Sequence, residues 1–175
     1  MYTSVEEFKK DYGFESATTA KVLGNLTDES LSTCKSSDDP QTNICQLGWH
    51  IATAQDAILG QAGLKITNPA KGSWVAPEGT TAQSIVSQYK QAAQDVLEQV
   101  GNWTDAELST VKNFFGMEWP LGAALTALIH HEIHHRGQLS VMMRQAGLTV
   151  PSIYGPNKEE TAEFIKNMQS QPAES

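Results

Sequence analysis

Cysteine is almost missing from this chain. Its two, Cys34 and Cys45, form neither a C-x-x-C pair nor a disulfide framework, which excludes a stapled secreted scaffold and fits a reducing compartment. Basic residues are also scarce: 12 Lys and Arg stand against 20 Asp and Glu, and no basic run is available to neutralise phosphates. With a formal charge of −8, the chain is not expected to bind nucleic acid. No apolar stretch approaches the roughly 18 residues of a membrane span, and the opening MYTSVEEFKKDYGF has no apolar signal region. A soluble cytoplasmic protein with no membrane association is the expectation. No internal repeat, dividing linker or convincing strand is found either, so residues 1–175 read as one domain, and the 39% apolar content suffices for a buried core.

What is present is helical periodicity. Val5 to Leu26 reads as a first helix, weakened by Gly13, and the polar stretch Ser30 to Thr42, with Pro40, interrupts the pattern. In a second helix beginning at Ile44, the residues Leu47, Ile51, Ala54 and Ile58 recur on one face, with a stop at Gly63. Leu64 to Gly79 is a loop. Thr80 and Gln83 suggest a capping box for a third helix that ends near Gly101, and Thr104 with Glu107 suggests another for a short one. Pro120 suits a first helical position, and a fourth helix then runs to Ala146, where Gly147 and Pro151 stop it. Lys158 to Met168 is a short peripheral helix. The predicted fold is all-α: a four-helix bundle with short extra helices, the architecture that places cofactor sites between facing helices.

The fourth helix carries IHHEIHHRGQL, which holds four of the chain's five histidines. At about 100° per residue, Leu121, Ala124, Leu128, His131, His135, Leu139 and Met142 fall on one inward stripe. His130 and His134 lie to one side, and Arg136 and Arg144 project to the opposite, solvated face. Histidines at i and i+4 stack one turn apart and reach a single ion from the same side. His50, in LGWHIATAQDAIL on the second helix, supplies a third nitrogen. A lone histidine on an apolar face is more often a hydrogen-bonded core residue. Two adjacent inward imidazoles without a shared partner, however, are costly to bury, and a common metal explains them. Three imidazoles leave coordination positions open, as in a catalytic site, and suit a divalent transition metal such as Zn, Ni, Fe or Mn. Cys45 projects to the far side of its helix and is not expected to ligate.

The letters His131-Glu132-Ile133-His134-His135 also spell the H-E-x-x-H of zinc proteases, with Glu132 as general base. The metzincin extension fails, since Gln138 and Val141 stand where Gly and His are required, and no sheet is read that would hold a substrate strand. The ion pair expected of Arg136 is on the helix surface, and Gly137 offers close packing to a neighbouring helix. Trp49 suggests packing or a dimer contact, Trp74, Trp103 and Trp119 either roof a pocket or fill a bundle end, and Tyr154 either reaches over the site or closes the bundle.

HHEIHHRGQLSVMMRQAGLTVPSIYGP together with LGWHIATAQDAIL resembles the two signature segments of the DinB-like (DinB/YfiT) metalloenzyme superfamily. The resemblance runs over nearly the whole chain in motif order and spacing. It implies a metal-binding four-helix bundle, assigns the ligand roles to the positions of His50, His131 and His135, and suggests a homodimer. It further implies chemistry on a small-molecule substrate, with a low-molecular-weight thiol such as bacillithiol or mycothiol as co-substrate in an S-transferase. A metal-dependent hydrolase and a non-catalytic, stress-associated metal-binding protein stay open beside it. Gln138, close to the inward stripe, is the candidate to hydrogen-bond a ligand, with Tyr154 as a pocket residue. For an anionic thiol, Lys65 and Lys71 are the few basic loop residues on offer.

Overall fold

Four segments become the long helices: α1 (Val5–Leu23), α2 (Ile44–Leu59) and α3 (Ala82–Val100), each capped at its N-terminus by a side-chain oxygen, and α4 (Leu121–Gln145), which follows Pro120 without one. The structure, a computed structural model, describes residues 1–36, 39–70 and 73–170, with the side chains at 34–36, 39–41 and 170 outside that description. Ser4 caps α1, followed by Glu6 and Glu7 at its positive end; Asn43 caps α2, accepting the Gln46 N–H at 2.9 Å. The capping box of α3 uses Thr81 and Ser84, one residue on from the expected Thr80 and Gln83. Two aspartates from elsewhere satisfy further free amides: Asp105 accepts from Val5 at 2.8 Å and Asp28 from Ala82 at 2.7 Å.

α1 packs on α3 and α4, and α2 packs on the same two, which sets α1 diagonally across from α2. Eleven of the 16 residues of α2 are buried, in keeping with a helix whose one charged residue is Asp56. Phe8, Tyr12, Ile51, Ile85, Tyr89, Leu125 and Leu128 fill the centre. A fully buried side chain of this size stabilises by roughly 1.5–3 kcal/mol. At the start of α4 the N-terminal segment crosses so closely that a Cβ on Gly122 would stand 2.0 Å from the Tyr2 carbonyl oxygen, and the Tyr2 N–H bonds the Gly122 carbonyl. Only glycine fits there.

The expected bundle is therefore found, with corrections to its connections and helix ends. Two short antiparallel hairpins interrupt it: β1 (Cys34–Ser36) with β2 (Asp39–Asn43), and β3 (Val111–Phe114) with β4 (Met117–Pro120). The second turns through Phe115 and Gly116, at φ 53° and 84°. Tight two-residue turns need such positive φ values, usually from Asn-Gly, and Phe-Gly conceals the signal. α1 ends at Leu23 rather than Leu26, a 3₁₀ turn (Gly60–Ala62) extends α2, and Pro120 caps α4 instead of opening it. A last helix, α5 (Thr161–Ser170), lies outside the bundle with Phe164, Ile165 and Met168 exposed. No helix among the described residues is long and apolar enough to cross a membrane.

Candidate metal centre

Where α2 and α4 face each other, three imidazoles converge. His50 Nε2 lies 3.1 Å from both His131 Nε2 and His135 Nε2. The three form a group whose ligand atoms all fall within 4.8 Å of one another, the arrangement of a site that could hold a metal ion. All are half-buried. Burial holds the imidazolium form off: His50 and His131 are pushed down to about 4 and His135 is lowered too, with the neighbouring histidines adding repulsion. These rings are neutral at pH 7.

Hydrogen bonding then decides which nitrogen of His135 is bare. The Gln138 side-chain oxygen sits 2.8 Å from His135 Nδ1, so Nδ1 carries the proton and Nε2 turns a lone pair toward the other rings. The Gln138 amide nitrogen is 3.1 Å from His134 Nε2 and donates to it, which fixes the amide in that orientation. Since His135 Nε2 has no proton and His50 Nε2 carries at most one, hydrogen bonds cannot satisfy both 3.1 Å contacts of His50 fully. A shared cation resolves the conflict. Two nitrogens at the usual ligand distance of about 2.0–2.1 Å from one tetrahedral ion lie roughly 3.3–3.4 Å apart, within a few tenths of an ångström of the 3.1 Å observed. The donor set thus fits a divalent transition metal. His131 Nδ1, by contrast, is buried without a hydrogen-bond partner.

The stripe on α4 is rotated from the one the periodicity suggests. Leu121, Ala124, Leu128, Leu139 and Met142 are buried as expected, but His131 and His135 stand at the stripe's border, over the α2–α4 groove. Its centre is occupied by Glu132 and Arg136. Glu132, fully buried, accepts from the Tyr89 hydroxyl at 2.5 Å, the Gln55 amide at 3.0 Å and the Tyr12 hydroxyl at 3.2 Å. Desolvation lifts its carboxyl to about 7 against the pull of these donors. With both oxygens engaged inside the bundle, Glu132 is not placed as the general base of a zinc protease.

Arg136 corrects a second expectation, since it is not on the solvated face. Only 2% exposed, it bonds the Glu15 carboxylate at 2.7 Å, the Thr19 hydroxyl at 2.9 Å and the Glu15 carbonyl, and it also bonds the Tyr154 hydroxyl. The charge is buried because its partners are on α1 and in the loop after α4. Tyr154 is thereby accounted for: its hydroxyl bonds Arg136 and donates to Glu15 at 2.7 Å, closing the bundle rather than reaching over the histidines. Gly137 meets nothing within 4 Å, so the expected close helix packing does not occur there. His130 and His134 are exposed, Trp49 is buried, and Cys45 stands apart from the histidine group.

Trp74, from the loop between α2 and α3, stacks on His50 with ring centroids 5.3 Å apart. An apolar cavity of about 250 Å³ borders His131 on one side of the site, and another of about 330 Å³, lined in part by Gln138 and Leu47, lies on the other. Among the described residues, no Lys or Arg lines either cavity. Lys65 is exposed, and Lys71 lies outside the described residues.

A family model described as the DinB family matches residues 1–172. The chain is 41% identical over 165 residues to a protein of Bacillus subtilis strain 168 called uncharacterized protein YrdA, covering 94% of this chain and 96% of that one. A crystal structure of a DinB-like protein from Bacillus cereus ATCC 10987 superposes with a TM-score of 0.78 at 37% identity, covering 88% of this chain and 100% of the other. A second DinB-like protein, YjoA of Bacillus subtilis, shares the fold at a TM-score of 0.65 and 17% identity, over 84% of this chain and 97% of the other. The chain belongs to the DinB family.

Proposed function

We propose that this DinB-family chain is a metal-dependent enzyme of thiol S-transferase type, in which His50, His131 and His135 hold one divalent transition metal. The observation that carries the reading is the convergence of three neutral imidazole nitrogens at 3.1 Å in a groove flanked by cavities. When bound, the ion supplies Lewis acidity, lowering the pKa of a thiol or a water that meets it. The protein's own residues do the rest. Gln138 holds His135 in the ligating tautomer, His134 steadies Gln138, and Trp74 covers the outer side of His50. Three protein ligands leave room for a nucleophile and for the group it attacks.

Hydrolysis by activated water is a second reading, favoured by a lining of both cavities that holds no Lys or Arg among the described residues. An anionic thiol calls for cationic partners, and water does not. The two readings separate on metal-loaded protein given an electrophilic aryl halide with low-molecular-weight thiols, or a panel of esters without thiol. Thiol-dependent conjugation abolished by His50→Ala supports the transferase; thiol-independent ester cleavage abolished by the same change supports the hydrolase. Rates at background in both assays, with the metal retained, would sink the enzymatic reading.

A further inference from the structure

The cavity beside His131 is built almost wholly of carbon. Ala54, Ala57 and Ile58 of α2, Ala127 of α4 and Trp119 of β4 form its walls, with no charged side chain among them. Ala54 and Ile58 are buried at 2% and 7% exposure and form the floor, whereas Trp74 and Phe115 are more than half exposed and stand at the mouth. Small alanines on facing helices leave the space open, since larger apolar residues there would close it at little cost to helix formation.

The backbone at the mouth is a second, independent observation. Phe115 is the one non-glycine residue with positive φ among the described residues, at 53°. A bulky aromatic in the left-handed region is strained by roughly 1–3 kcal/mol, and such strain persists where surroundings impose it. Here they do: the Phe115 N–H donates to the Gln61 side chain at 2.8 Å, and the Gly116 N–H donates to Asn113 at 3.0 Å. An Asn-Gly turn would relieve the strain and lose the ring. The hairpin thus holds an aromatic side chain against the opening of the cavity that contains His131.

We propose that this cavity seats an uncharged, ring-sized apolar group of the substrate, such as an aromatic ring or a short branched hydrocarbon, and so delivers the adjoining reactive atom to the histidine site. Its volume of about 250 Å³ exceeds the about 150 Å³ that suffices an apolar cavity to bind benzene, leaving space for a few atoms linking ring to metal. The proposal rests on the three-histidine reading above for the role of the site, but the pocket itself can be tested without metal.

Two probes and one cavity-filling variant, Ala127→Leu, test it. Toluene is titrated by calorimetry into metal-free wild type and variant. Acetohydroxamate and benzohydroxamate, which share one metal-binding head and differ by the ring, are then titrated into both proteins loaded with zinc, whose zinc content is measured beforehand. Toluene should bind the wild type and weaken at least about tenfold in the variant. On zinc-loaded wild type, benzohydroxamate should bind about tenfold tighter than acetohydroxamate, and the variant should lose that preference while retaining acetohydroxamate and zinc. Toluene binding that is absent, or equal in the two proteins, overturns the pocket. Specific toluene binding without a hydroxamate preference on zinc-loaded protein overturns its coupling to the histidines. Failure of the wild type to retain zinc, with specific toluene binding intact, refutes the metal reading and with it the substrate role, leaving only an apolar cavity.

Discussion

His135 donates its Nδ1 proton to the side-chain oxygen of Gln138, 2.8 Å away, while its Nε2 faces His50 Nε2 at 3.1 Å. The two contacts lie on opposite edges of one ring, so Gln138 selects the tautomer that leaves a lone pair for a metal. Outer partners of this kind typically change metal affinity by about 10–100-fold. Gln138→Leu should therefore weaken zinc binding by roughly that factor in a chelator competition, and Gln138→Glu, which still accepts the proton, should bind at least as well as the wild type. Unchanged affinity in Gln138→Leu would remove Gln138 from this role.

The histidines make metal binding depend on pH in a particular way. Their folded values lie below the ordinary 6.5, at about 4 for His50 and His131, so the folded chain binds fewer protons than the unfolded one between those limits. The stability they contribute is complete above the ordinary value and is lost as pH falls toward about 4. Protons likewise compete with metal only in the lower part of that range. Zinc affinity should stay nearly level from about pH 8 to about pH 6 and collapse below about pH 5. A midpoint near 6.5 would mean that the rings are solvated rather than held neutral by burial.

Glu132 acts in the opposite sense. Its folded value of about 7 lies above the ordinary 4.5, so its stabilising contribution is complete below 4.5 and disappears as pH rises through 7. The difference is roughly 3 kcal/mol over that window. Glu132→Gln does not titrate, so the stability of the variant relative to wild type should rise by about that amount between pH 4.5 and pH 8. Urea unfolding of both metal-free proteins across the range gives the comparison, since the histidine contribution cancels. A constant difference would show that the carboxyl ionises without penalty.

Arg136 and Glu15 form an ion pair with side-chain exposures of 2% and 12%. Removing one partner strands the other in the interior, so Arg136→Ala should cost about 3–5 kcal/mol in a denaturant melt. Replacing both by leucine should recover most of the loss, because neither charge is then buried alone. A double variant as unstable as the single one would show that the Thr19 and Tyr154 contacts, rather than the pair, hold this region together.

The fold and the three histidines were readable because both follow from periodicity. Caps, glycine stops and i, i+4 spacing are local signals, and they placed α2 and α4 to within a residue or two at each end, with His50, His131 and His135 on facing helices. The centre of the α4 stripe was not readable. Glu132 and Arg136 look like solvent residues until their partners are known, and Tyr12, Tyr89, Gln55 and Glu15 come from α1, α2 and α3, as many as 121 positions away. Burial of a charge depends on such long-range pairing, which no window along the chain contains. The hairpins escaped for a different reason: their strands are three to five residues long, and one turn uses Phe-Gly in place of the usual Asn-Gly. Phe115 at the mouth of the cavity was lost with that turn.

Metal content tests the central claim most directly. Protein purified without chelators or metal-affinity resin is assayed by elemental mass spectrometry, before and after reconstitution with Zn, Ni and Mn, beside His50→Ala and His135→Ala. Close to one ion per wild-type chain, with most of it lost in both variants while their helical spectra match the wild type, is the expected result. Little metal in reconstituted wild type, or equal metal in the variants, would contradict the three-histidine centre.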